Sequence, residues 1–105
     1  MSQARGTADG TPQGGVVVKV RSPDGEIVLG NGRLNPTTPG WESMNVTVDY
    51  TDFNELVGQH SFKGYIGQTD FLLEFLNGVK CHGPLQVPQD KRTTVQGSLT
   101  WDVSY

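Results

Sequence analysis

The sequence predicts an all-β domain, an antiparallel β-sandwich or small closed β-barrel of about seven strands, preceded by a flexible N-terminal arm. Three observations carry that expectation. In residues 43–50, Met44, Val46, Val48 and Tyr50 alternate with Asn45, Thr47 and Asp49. In residues 93–104, Val95, Leu99, Trp101 and Val103 alternate with Thr94, Gln96, Ser98, Thr100, Asp102 and Ser104. A period of two over such lengths gives a strand with one buried and one solvated face, the pattern of antiparallel sheets. Third, 14 Gly and 6 Pro in 105 residues break the chain into short segments, and only 34% of residues are hydrophobic, so the core is small.

Residues 1–15 contain four glycines and no large aliphatic residue beyond Met1, too little apolar surface to offset the entropy of ordering. They are expected to form a mobile arm, with residues 16–105 as a single domain. The β-branched run Val16, Val17, Val18, Lys19, Val20 opens that domain as its first strand. Ser22-Pro23-Asp24-Gly25 is a turn on its own chemistry, because Pro pre-sets one dihedral and Asp and Gly accept the next ones. Residues 26–29 return as the second strand of a hairpin.

Residues 30–40 read as a long loop anchored by Leu34, rich in Gly, Asn and Pro. After the strand 43–50, the segment Asp52 to Val57 predicts one helical turn capped by Asp52. Residues 61–68 form a strand bent or bulged at Gly64 and Gly67. The apolar run 70–76 fits either a buried strand or two helical turns by periodicity. Asn77-Gly78 favours the strand, since the pair suits a type I′ turn into a partner strand at 79–83. A polar loop, 84–91, precedes the last strand.

Eleven acidic against eight basic residues give a net charge of −3, which argues against nucleic acid as the main ligand. No run of about 18 apolar residues exists to span a membrane, and the N-terminal stretch has no apolar signal centre. The single Cys81 suits a reducing compartment. Cytoplasmic synthesis is therefore expected, with later release as part of a particle compatible with it.

Chemistry-bearing residues do not gather. Cys81 and His82 are adjacent on a strand and point to opposite faces, so they are poor nucleophile partners, and only His60 could reach Cys81 across strands. Zinc-ligand spacings are absent. Asp49, Asp52, Asn54 and Glu55 supply oxygens over a short span but lack the calcium-loop register, and a solvated, capped turn accounts for them better. No enzyme activity, cofactor or metal is expected.

The recognition features are Trp41, after Pro39-Gly40, and Tyr65, out of phase with Phe62 and Ile66. Either is a candidate platform for a sugar ring or partner side chain, although Trp41 equally suits a plug at one end of the fold. Thr94, Gln96, Ser98 and Thr100 mark the polar face of a terminal strand that, as a sheet edge, would pair with another chain. The preferred expectation is a structural or interaction protein that self-associates or docks on a larger assembly, an arm-plus-β-module plan analogous in architecture alone to virion or appendage components. The alternative is a small-ligand or carbohydrate-binding barrel whose mouth is formed by Trp41, Tyr65 and the loops 30–40 and 84–91.

Overall fold

The computed structural model describes residues 2–104 and shows a closed, eight-stranded antiparallel barrel. In chain order the strands are β1 (Ser2–Gly10), β2 (Gly15–Arg21), β3 (Ile27–Asn35), β4 (Trp41–Tyr50), β5 (Gly58–Ile66), β6 (Asp70–Phe75), β7 (Lys80–Pro84) and β8 (Thr93–Ser104), with a 3-10 turn at Phe53–Leu56 between β4 and β5. Around the barrel they run β1-β2-β3-β8-β5-β6-β7-β4, and β4 closes onto β1. Each half of the chain is thus a Greek key, in the spatial order 4-1-2-3 and then 8-5-6-7. The two halves are related by a pseudo-two-fold: each closing strand pairs with the first strand of its own half and the third strand of the other.

The expected N-terminal arm is corrected by this topology. Residues 2–10 form β1, held between β2 and β4, with Ala4 and Ala8 fully inside the core. Composition hid the strand because its inward positions are Ala and Gly, whose small side chains leave room for larger neighbours on facing strands. Met1 and Tyr105, which the expected arm and domain include, lie outside the described residues.

Three hairpin loops share one geometry. In Thr11-Pro12-Gln13-Gly14, Ser22-Pro23-Asp24-Gly25 and Phe75-Leu76-Asn77-Gly78 the glycine N–H donates back to the first residue's carbonyl at 2.9–3.0 Å. In each, the first residue's N–H donates to the carbonyl of the residue after the glycine at 2.8–2.9 Å. The glycines sit at φ +91°, +89° and +94°, and among the described residues no other residue type has positive φ. This is a type I turn followed by a left-handed glycine, so the type I′ turn expected at Asn77-Gly78 is replaced by the three-residue form. Residues 70–76 and 79–83 do pair as strands, as β6 and β7.

Two further expectations change. Residues 30–35 of the expected loop belong to β3, which pairs with β2 as far as Arg33 and with β8 as far as Asn35, and only residues 36–40 connect it to β4; Leu34 is buried as expected. In β4 the register against β1 shifts between Gly6, opposite Val46, and Ala8, opposite Ser43. The extra residue is a bulge that sends both Met44 and Asn45 outward, so Met44 does not join Val46, Val48 and Tyr50 inside.

The interior is filled with side chains. Phe62 and Phe75 (ring centroids 5.4 Å apart), then Phe75 and Trp101 (5.5 Å), form a tilted aromatic cluster among apolar residues from every strand, Cys81 being the one from β7. One end is sealed by Leu56 of the 3-10 turn, which carries the expected Asp52 cap: Asp52 Oδ1 accepts from Asn54 N at 2.9 Å and Glu55 Oε1 accepts from Asp52 N at 3.1 Å. At the other end, residues 84–92 fold across the opening. Their backbone N–H groups at Leu85, Gln86 and Gln89 donate to the carbonyls of Thr69, Glu42 and Gln68.

Candidate functional site

Trp41 is a plug rather than a platform. It begins β4 opposite Gly10, its ring lies 4.8 Å from that of Phe71, and only 5% of its surface is exposed. A Cβ on Gly10 would sit 1.8 Å from the indole nitrogen, so the bare backbone of β1 is the floor on which the indole rests. Of the elements expected to form a barrel mouth, Trp41 and the segment 84–91 cover this end, whereas Tyr65 lies on the outer wall and residues 30–35 belong to β3.

The terminal strand is not an edge. β8 is paired along one side with β3 and along the other with β5, and closure of the barrel leaves no free strand for another chain to extend. Thr94, Gln96 and Thr100 are exposed and Ser98 is half-buried, all four on the outer face as the alternation requires.

Register brings those four residues and Tyr65 onto one surface. Across β8 and β5 the directly opposed pairs are Thr94–Tyr65, Gln96–Lys63, Ser98–Ser61 and Thr100–Gln59, with Gln59 Nε2 donating to Ser98 Oγ at 3.3 Å. Beyond β8, β3 extends the rows with Asn31, Arg33 and Asn35; beyond β5, β6 adds Leu72 and Glu74. Leu76, in the β6–β7 loop, continues the β6 side by donating its N–H to the Ser61 carbonyl at 3.1 Å, and its side chain is 77% exposed. Shallow grooves run along this face from Arg92 and Tyr65, past Lys63 and Gln96, to Leu76. Sequence reading found the Tyr65 and β8 positions separately. It missed that they adjoin, because the β5–β8 pairing is nonlocal.

Tyr65 is held rigidly. Its hydroxyl donates to Asp70 Oδ2 at 2.9 Å, and the Arg92 guanidinium lies 4.0 Å from its ring centroid. The hydrogen bond to Asp70, then partial burial and the Asp70 charge, push the phenol above its ordinary value, opposed by Arg92. One ring face is thus already covered by a cation, which limits Tyr65 as an open stacking surface for a sugar.

The remaining reactive groups are occupied structurally. Cys81 is fully buried and burial pushes its thiol up to about 12. His60 Nε2 donates to the Val57 carbonyl at 2.9 Å. His82 Nε2 and Gln3 Nε2 bond to the two oxygens of Asp49, at 2.8 and 2.9 Å. Burial pushes the Asp49 carboxyl up, but the hydrogen bonds from His82 and Gln3 and the charges of His82 and Lys80 outweigh it and hold the group below its ordinary value. Asp49, Asp52 and Glu55 therefore spend oxygens on separate local bonds. Among the described residues no three His, Cys, Asp or Glu side chains converge on a point fit for a metal ion, and no helix is long and apolar enough to cross a membrane.

No protein family, curated protein or solved structure matches this chain.

Proposed function

We propose that this chain is a non-catalytic interaction protein that self-associates through the outer face of β3, β8, β5 and β6. The observation that carries the reading is the composition of that face. Its rows of Ser, Thr, Asn and Gln each offer both a donor and an acceptor, so a second copy turned by a two-fold can satisfy them with the same residues. Lys63 directly opposite Glu74 balances charge at the middle of the face, which lowers the charge barrier to like meeting like, while Arg33 and Arg92 remain as cations towards its borders. Leu76 supplies an exposed apolar anchor at its margin.

Size is compatible with this role. A stable interface takes about 800 Å² from each partner, roughly one-seventh of the chain's 5819 Å². The outer side of four of the eight strands offers that much. A partner must be bound through side chains, because a closed barrel has no strand edge to lend.

The test is the native mass by light scattering coupled to size exclusion, from micromolar to submillimolar concentration, for the chain and for Leu76→Glu and Ser98→Arg. A dimer that both substitutions return to monomer supports the reading. A monomer at every concentration, or a dimer indifferent to both changes, overturns it.

A further inference from the structure

The pseudo-two-fold places two equivalent grooves on opposite sides of the barrel, and their charges differ. In the second half, β5 pairs with β6 so that Lys63 faces Glu74, Gly64 faces Leu73 and Tyr65 faces Leu72. In the first half, β1 pairs with β2 so that Arg5 faces Arg21, Gly6 faces Val20 and Thr7 faces Lys19. The backbone match is close. A Cβ on Gly64 would lie 1.9 Å from the Leu72 carbonyl oxygen, and one on Gly6 would lie 1.9 Å from the Lys19 carbonyl oxygen. Each glycine lets its strand coil tightly onto the next and leaves a dent on the outer face.

At the position where one half sets a cation against a carboxylate, the other sets arginine against arginine. Like charges directly opposite on a sheet are destabilising. Among the described residues no carboxylate forms an ion pair with them, the one ion pair being His82 with Asp49. Arg5 Nη2 donates to the uncharged Gln3 Oε1 at 3.2 Å, and Gln3 in turn donates to Asp49. Thr47 lies opposite Arg5 on β4, and Ile27 and Leu29 lie opposite Arg21 and Lys19 on β3. The groove is lined by Arg5, Gly6, Thr7, Lys19, Arg21 and Ile27, and all three cations are exposed in a chain that is acidic overall.

We propose that this groove binds a phosphate group, free or carried on a small organic molecule. Two guanidinium forks on neighbouring strands suit the oxygens of a dianion, Lys19 adds a third positive charge and Thr7 a hydroxyl donor. Ile27 forms an apolar flank against which the organic part of a phosphate monoester would lie. A bound phosphate removes the Arg5–Arg21 repulsion, as Glu74 removes it for Lys63 in the other half.

The experiment titrates inorganic phosphate, and separately phenyl phosphate, at constant ionic strength against the full chain, following amide chemical shifts and the melting temperature. The expected result is saturable shifts centred on residues 5–7 and 19–21, a rise in melting temperature, and tighter binding of phenyl phosphate. Free phosphate binding as tightly as the ester would overturn the role of Ile27. Arg21→Glu copies the charge pair of the other half; it should melt higher without phosphate and lose tenfold or more of the affinity, in line with loss of charge-assisted hydrogen bonds. Arg5→Gln should lose affinity without the added acid, and Lys91→Glu, at the far end, should retain it. Chloride matching phosphate at equal ionic strength, or Arg21→Glu keeping the full response, overturns the proposal.

Discussion

Removing residues 1–15 tests whether the N-terminal segment is a strand of the barrel or an appendage to it. β1 is in register with β2 at six positions and with β4 at eight. Its loss breaks on the order of ten backbone hydrogen bonds, each with a net contribution of about 1 kcal/mol. It also uncovers Val18, Val46 and Val48, which face Ala8, Gly6 and Ala4 across the pairing, and strips Gly10 from under the Trp41 indole. A domain of this size is stable by about 5–15 kcal/mol in total, so the truncated chain is expected to be unfolded in buffer. Far-UV circular dichroism should lose its β signal, and tryptophan emission should sit at the solvent-exposed wavelength. A synthetic peptide of residues 1–15 in excess should restore part of both by refilling the gap between β2 and β4. A truncated chain with a cooperative urea transition near the full-length midpoint would refute the argument.

Three further outcomes follow from single groups. Ser43 is fully buried and its hydroxyl has no hydrogen-bond partner among the described residues, so Ser43→Ala should raise stability by about 1 kcal/mol in urea titrations, because it removes an uncompensated desolvation cost; a loss of that size would show the hydroxyl is used. Cys81, with its thiol pushed up to about 12, should react with a thiol reagent at neutral pH no faster than the barrel unfolds, and labelling at the rate of a free thiol would contradict its burial. Asp49 is held below its ordinary value, so its contribution to stability is present above about pH 4 and fades as pH falls through the folded value. The melting-temperature gap between the chain and Asp49→Asn should therefore close in acid, and a gap that widened below that pH would have the sign wrong.

The all-β class, most strands and the Asp52 cap were legible because each rests on local chemistry: alternation in 93–104, a Pro-Asp-Gly turn, Asn-Gly after an apolar run. β1 was legible too, through a signal outweighed by composition. Thr11-Pro12-Gln13-Gly14 repeats the Pro-x-Gly pattern of Ser22-Pro23-Asp24-Gly25 and closes the same loop. Reading it as a hairpin would have turned Ala4, Ala8 and Gly10 into an inward face. The Met44 bulge was not legible, since an extra residue in β4 is defined only by its partner in β1. The edge assigned to β8 failed for a related reason. Which strands neighbour it is a property of the whole barrel, and the Thr94–Thr100 face looks the same whether or not the backbone beside it is paired.

Closure also changes what kind of recognition the molecule can perform. An open sandwich could extend its sheet into a neighbour by main-chain pairing, which is strong and nearly blind to sequence. Here every strand has two partners, so any contact must be made by side chains projecting from a rigid wall. Such contacts are specific by composition, and in that respect the two halves of the barrel differ. Around Gly64 the wall is balanced by Lys63 with Glu74 and Tyr65 with Asp70, and continues into uncharged polar rows. Around Gly6 the same backbone carries Arg5, Lys19 and Arg21 with no acid opposite. The shared strand geometry accounts for the two dents in the wall, and the side chains placed on it account for one being neutral and the other cationic. Under the two proposals the polar face takes a copy of the chain and the cationic groove an anion, and the two surfaces adjoin along β3, whose Ile27 lines the groove while Asn31, Arg33 and Asn35 belong to the polar rows.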